Sequence, residues 1–206
     1  MGEQLKCGDF VPFVFEHKFN MEVGDGDRKQ LMSGTIDRVD ICENGTDVYV
    51  RIIDYKTGKK DFNIVKTYYG IDIQLMVYME AAMKLVAKMR PGKNVIPAGV
   101  FYYNISDPIV SATTESAEEI EDKIKGELRL KGMVNSDKDI AEKMDNTEGT
   151  SLNIPVSRKA DGGFDSRRSK VMNTEQFNIL GRFVDVRAVD TADRIAGGDI
   201  RRSPYK

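Results

Sequence analysis

Between Val11 and Lys56 three apolar segments follow one another at strand spacing, and the breaks between them are built for turns. The segments are "VPFVFEHKF" (Val11–Phe19), "LMSGTIDRVDIC" (Leu31–Cys42) and "VYVRIIDYK" (Val48–Lys56). The first break, "MEVGDGDRKQ", carries Gly24 and Gly26. The second, "ENGTD", carries Asn44-Gly45, a strong hairpin signal. Strands joined this closely pair as an antiparallel meander. The period then changes. From Asp72 to Met89, residues Leu75, Tyr78, Ala82, Leu85 and Met89 recur at helical spacing. Pro91-Gly92 ends that helix, and "VIPAGVFYYNI" (Val95–Ile105) reads as a further strand. A meander, then a helix, then a strand predicts an α+β fold: a mixed sheet with a helix on one face.

The second half reads as more helical. "SAEEIEDKIKGELRLKG" (Ser116–Gly132) opens with Ser116 and Glu119 in capping-box register and repeats Ile120, Ile124 and Leu128. "SDKDIAEKMD" is a short helix. "SLNIPVSRKADGGFDSRRSKV" reads as a hairpin around Asp161-Gly162-Gly163. A last helix is expected over Thr174–Ala196, with Phe177, Leu180, Val184, Ala188, Ala192 and Ile195 on one face and Gly197-Gly198 as its stop. No internal repeat or composition break divides the chain. The reading is one domain over 1–206, with a core at about 10–110 and a helical and hairpin extension at about 111–206.

Charge and cysteine usage narrow the function classes. With 31 basic and 33 acidic residues the net charge is -2. Free-standing nucleic-acid binders are usually more basic, so any such substrate has to be gripped by local groups or by a partner protein. Cys7 and Cys42 stand far apart, which argues against a disulfide framework or a thiolate zinc site. No run approaches the roughly 18 apolar residues of a membrane span. The start "MGEQLKCGDF" lacks a signal pattern, and the expected location is the cytoplasm. "TGKK" is not a phosphate loop, and "GDGDRK" is not a calcium loop.

The polar residues inside the second and third segments carry the chemistry. Residues two apart on a strand share a face and lie about 6.6 Å apart along it. Asp54 and Lys56 therefore point the same way, beside Val50 and Ile52. Thr35, Asp37 and Val39 are expected to share one face of the preceding strand. A hairpin register setting Asp37 near Asp54 brings two carboxylates together on a buried face, where they repel unless a cation neutralises them. Magnesium suits a site of few carboxylates. Lys56 then orients water or balances charge on a phosphoryl group. The alternative is a salt bridge between Lys56 and one aspartate. Gly34 permits close backbone approach near Asp37. Gln74 and Tyr78 share one face of the helix that follows. His17 alternates with Phe13, Phe15 and Phe19 and reads as a packed or rim residue. Glu16 is a third acid within reach of the site or a partner for a basic side chain. Asp40 reads as a salt-bridge partner on the face opposite Asp37. Lys59, Lys60, Lys66, Arg167, Arg168 and Lys170 are either phosphate contacts or solvated surface.

The ordered set "GTIDRVD", "IIDYKTG" and "YYGIDIQLMVY" resembles the PD-(D/E)XK nuclease superfamily in its RecB-like branch. From about Phe10 onward the chain further resembles the nuclease regions of bacterial ATP-dependent helicase–nuclease B subunits. The stretches that carry this include "IPAGVFYYNISDPI", "KGMVNSDKDIAEKMD" and "GGDIRRSPYK". The resemblance implies a restriction-endonuclease-like core. It makes Asp37 and Asp54 metal ligands, adds the Tyr55 backbone carbonyl as a third, and gives Lys56 a catalytic role. Gln74 and Tyr78 match a Q-x-x-x-Y motif that lies beside the site and the DNA. The implied activity is a magnesium- or manganese-dependent exonuclease. It would hydrolyse a single strand of DNA during double-strand-break processing and recombinational repair, beside the A subunit of a helicase–nuclease. The alternative is a catalytically inactive DNA-binding or scaffolding module of the same fold. Full-length relatives carry an upstream helix with a further metal ligand and an iron–sulfur cluster. Neither Cys7 nor Cys42 matches that cluster's cysteines, so the expectation is an excised nuclease core whose activity alone stays open.

Overall fold

A computed structural model describes residues 7–24, 29–105 and 116–201. Gly26 of the first turn and the stretch 106–115 lie outside the described residues. The chain forms one six-stranded mixed sheet whose spatial order, β1 to β6, follows the chain. Strands β1 (Val11–Val23), β2 (Gln30–Asn44) and β3 (Asp47–Lys56) pair antiparallel in succession, as the turn signals predict. Gly45 takes a left-handed φ of 60° at the β2–β3 turn, which a glycine adopts without strain. Helix α2 (Gln74–Met89) then crosses the sheet and returns β4 (Asn94–Asn104) parallel to β3. A crossover is what parallel neighbours require.

Two strands come from the second half of the chain. β5 (Lys131–Asn135) lies antiparallel on β4, and β6 (Val171–Met172) runs parallel to β5. Helix α3 (Ala117–Glu127) has the expected capping box at Ser116, but it stops five residues short of Gly132 because the chain there enters the sheet. A Cβ at Gly132 would stand 1.9 Å from the Val100 carbonyl oxygen, so only glycine fits that approach. The hairpin expected around Asp161 is reduced to isolated bridges, Thr150–Ser157 and Arg158–Phe164, closed by Lys159 N–H donating to the Gly163 carbonyl at 2.8 Å. A short helix not expected from sequence, α1 (Ile64–Tyr68), is capped by Asn63, whose Oδ1 accepts from the amides of Val65 and Lys66.

The sheet separates two cores. On one face Val39, Val50, Ile52 and Val100 pack against α2 and the long helix α5 (Thr174–Ala196). Because α2 is covered by the sheet on one side and α5 on another, its buried set extends to Met76, Val77, Met79 and Ala81, beyond the single stripe read from sequence. The far end of α5 leaves the core, and Ile195 is 72% exposed. On the other face Tyr49, Ile53 and Phe101 pack against Phe10, Leu130, α4 (Lys138–Met144) and the segment carrying Ile154 and Val156. Arg129 and Arg158 tie that segment down. Arg129 donates to the carbonyls of Ile154 and Val156, and Arg158 to those of Ala141, Asp145 and Thr147.

Candidate active site

The β2–β3 ladder ends at the pair Arg38–Ile53, and Asp37 and Asp54 are the next residues in that register. Beyond this point the Asp37 carboxylate replaces a strand carbonyl: its Oδ2 accepts the Tyr55 backbone N–H at 2.7 Å. The N–H and C=O of one strand residue point to the same edge, so the Tyr55 carbonyl faces the Asp37 side of β3. The alternation expected for Thr35, Asp37 and Val39 does not hold. Gly34, Ile36, Val39 and Ile41 all meet the α2-side core, so the pattern slips by one residue at Asp37–Arg38. Glu16 stands opposite Asp37 in β1 and is exposed. It has a left-handed φ of 48°, alone among the described non-glycine residues. Phe15 accordingly lies over Arg38 on the opposite face, while Phe13 and Phe19 pack toward α2, and His17 sits half-buried between them.

Asp54 is 2% exposed. Its Oδ1 accepts from Gln74 Nε2 at 3.1 Å, and the same nitrogen donates to Tyr78 Oη at 2.9 Å. Lys56 Nζ donates to Gln74 Oε1 at 3.2 Å and lies 2.5 Å from Asp54 Oδ2. That last contact is an ion pair, so the buried Asp54 carboxylate already has a cation at Oδ2. Burial pushes the Asp54 carboxyl above the usual carboxylate range; Lys56 opposes the shift and Asp37 adds to it. Asp54, Lys56, Gln74 and Tyr78 are thus within one bonded group, and Asp37 is tied to the neighbouring Tyr55 amide. Both sequence readings of Lys56 meet here, since it pairs with Asp54 and also lies beside the converging carboxylates.

Spacing in the sequence gave no sign of a second layer. Tyr102 lies opposite Asp54 in β4 and is fully buried. Its hydroxyl donates to Asp72 Oδ1 at 2.6 Å, and Lys60 Nζ bridges to the same oxygen at 3.1 Å. The Tyr102 ring lies 4.4 Å from Lys60 Nζ and 5.5 Å from Lys56 Nζ, centroid to nitrogen. Burial, then the Asp72 carboxylate, pushes the Tyr102 phenol far up, so it stays a donor. Asp72, at the foot of α2, read only as the start of a helix. Of the other basic residues, Lys59 pairs with Glu127 and Lys170 with Asp61, while Lys66, Arg167 and Arg168 are exposed. Asp40 lies on the face away from α2, fully buried between two guanidiniums. Arg38 grips both its oxygens, and Arg51 reaches Oδ2 at 2.8–2.9 Å.

Among the described residues no three His, Cys, Asp or Glu side chains gather in a way that could hold a metal. What is present is a pair of carboxylates with an adjoining backbone carbonyl. The buried Asp54 carboxylate holds the Lys56 ammonium at Oδ2, the place a divalent cation would share or take over. Two hard oxygen donors and a carbonyl fit a divalent ion that keeps several waters.

Comparison with known proteins covers the whole chain. The PD-(D/E)XK nuclease superfamily profile matches residues 2–206. The chain is 36% identical over 217 residues to the B subunit of the ATP-dependent helicase/deoxyribonuclease of Clostridium botulinum strain Hall, covering 100% of this chain and 19% of that protein. It is 37% identical to the protein of the same name in Clostridium tetani, again over 100% of this chain and 19% of the relative. To that of Caldanaerobacter subterraneus subsp. tengcongensis it is 38% identical, over 100% of this chain and 18% of the relative. The chain thus spans less than a fifth of the length of these curated relatives. Because the match runs through the sheet and its extension alike, and not over the aspartates alone, the chain belongs to the PD-(D/E)XK nuclease superfamily.

Proposed function

We propose that this domain is a metal-dependent DNA exonuclease, hydrolysing phosphodiester bonds in an unwound strand during double-strand-break repair. The observation that carries the reading is that Asp37 and Asp54 follow the last pair of the β2–β3 ladder, with Asp54 buried and the Lys56 ammonium 2.5 Å from its Oδ2. Asp37, Asp54 and the Tyr55 carbonyl would hold a magnesium or manganese ion. When bound, that ion supplies positive charge to the scissile phosphate and makes water easier to deprotonate. The protein's own groups do the rest. Lys56, now paired with Asp54, would be free to face the reacting phosphate or the attacking water once the carboxylates are neutralised. Gln74 tethers Asp54 and Lys56 at once and so fixes their separation. Water adds to phosphorus, one ester P–O bond breaks, and the leaving sugar oxygen takes up a proton.

The relatives are named as subunits of a helicase/deoxyribonuclease. By that likeness the strand would be delivered by a helicase partner, the A subunit of such a complex, and any iron–sulfur cluster would lie outside this chain. The Lys56–Asp54 ion pair favours a second reading, a binding module of the same fold that does not cut. End-labelled single-stranded DNA incubated with the protein and magnesium or manganese separates the two. The nuclease reading expects metal-dependent cutting that Lys56→Ala reduces by about a hundredfold or more. Cutting by Lys56→Ala at the wild-type rate overturns it. Retention of the strand without cutting, by wild type in manganese, favours the binding module.

A further inference from the structure

Beside the carboxylates lies an open cleft of about 300 Å³ whose lining includes Phe19, Lys60, Ile71, Gln74, Val77 and Tyr78. Its composition is two-part. Phe19 and Tyr78 meet edge to face at 5.8 Å, and Ile71 is 52% exposed although large and apolar. Lys60 is the cation of the lining. It is held in place by Asp72 at 3.1 Å and by the face of Tyr102 at 4.4 Å. An ammonium has three N–H donors. Asp72 takes one and the ring face attracts a second, which leaves a third for an anion. Asp72 is itself 6% exposed, so the bridge engages Lys60 from the buried side while the Lys60 side chain remains 36% exposed. Gln74 joins the cleft to Asp54, which makes it continuous with the carboxylate site. An aromatic and aliphatic wall with one positioned cation matches an unstacked base and its phosphate. A base inside a duplex, paired and stacked on both sides, cannot enter a cleft of this size.

Resting on the nuclease reading, we propose that this cleft is a one-nucleotide subsite for an unpaired DNA strand. The base lies against Phe19, Ile71 and Tyr78, and the adjoining phosphate meets Lys60. Asp72 and Tyr102 are positioning residues that hold Lys60 at the cleft. The subsite would explain a requirement for single-stranded substrate by shape and stacking, with no base-edge recognition.

The test is binding of a short fluorescent oligothymidylate to the 206-residue chain, with calcium in place of magnesium, by anisotropy over a range of salt. Lys60→Ala should lower the slope of log affinity against log salt by about 0.7, the loss of one phosphate contact on a single strand. Lys60→Arg should restore the slope. Ile71→Ala should weaken binding at unchanged slope, and an oligonucleotide of abasic sites should be insensitive to Ile71→Ala. A duplex of the same length should bind more weakly than the single strand and ignore Ile71→Ala. In cleavage, Lys60→Ala should raise KM by a larger factor than it lowers kcat. The proposal is overturned by an unchanged salt slope in Lys60→Ala, by equal binding of duplex and single strand, or by absence of strand binding in wild type. Failure of the nuclease reading appears elsewhere, as cutting that survives Lys56→Ala, and leaves these binding results intact.

Discussion

Asp54 is where charge and burial conflict most sharply. Its folded carboxyl holds a proton more tightly than the unfolded one, because burial, and then Asp37, outweigh Lys56. The sign follows from linkage: stability is present while the group is protonated and is lost as pH rises from about 4 through the raised folded value. In EDTA, the thermal midpoint of wild type should therefore fall over that window by more than that of Asp54→Asn. Glu80 and Asp185 are also raised by burial, so the difference between the two proteins is the readout. Magnesium should lift the wild-type midpoint most at the high end of the window, where Asp54 is charged. Gln74→Ala belongs to the same scale. It removes a tether and no ligand, so cleavage should fall by less than in Lys56→Ala. Gln74→Glu should not bring the rate back toward wild type, because a third carboxylate would bind Lys56. Initial rates on one labelled strand decide the ranking.

At the scale of elements, the legible parts were those with their own periodicity. The meander, α2 and α5 each have a repeating apolar face and recognisable turn or cap residues. β5 did not, because "KGMVN" is short and its key residue is a glycine chosen by the Val100 carbonyl, a neighbour distant in sequence. Gly132→Ala should cost about 3 kcal/mol or more, an outcome reserved for overpacking against backbone. Its urea midpoint, at unchanged m-value, measures this. β6 has two residues and α1 five, too few to show a period. In the site, spacing marked Asp37, Asp54, Lys56, Gln74 and Tyr78. It could not give the slip at Asp37, opposite which Glu16 of a neighbouring strand takes a left-handed φ. Nor could it give the Lys60–Asp72–Tyr102 group, whose members come from a loop, the foot of α2 and β4 and meet only once the crossover is complete.

The whole molecule is a sheet with two unlike covers. On the α2 side the cover is regular helix; on the other it is α4 and an irregular segment held by arginines. Arg158 donates at 2.6, 2.8 and 2.5 Å to carbonyls of Thr147, Ala141 and Asp145, closing the C-terminal end of α4. Arg158→Ala should remove the donor to the Thr147 and Asp145 carbonyls, while Ala141 keeps the Asp145 N–H. Hydrogen exchange should then show α4 and residues 147–158 losing protection while β2, β3 and β4 keep theirs. Equal loss everywhere would mean the segment unfolds only with the sheet. The strand order, β1 to β6 as in the chain, has a consequence for synthesis. Every strand pairs with one already made, so the sheet can grow as the polypeptide leaves the ribosome, amino-terminal part first. The acidic pair sits on the meander, whose β2–β3 hairpin closes in about 1–10 microseconds. At elongation rates of about 5–20 residues per second, that hairpin forms long before α5 has been translated. The nascent chain therefore carries its acidic pair in place and one flank of the sheet bare, which makes the interval before α5 docks the period when its apolar face is most exposed.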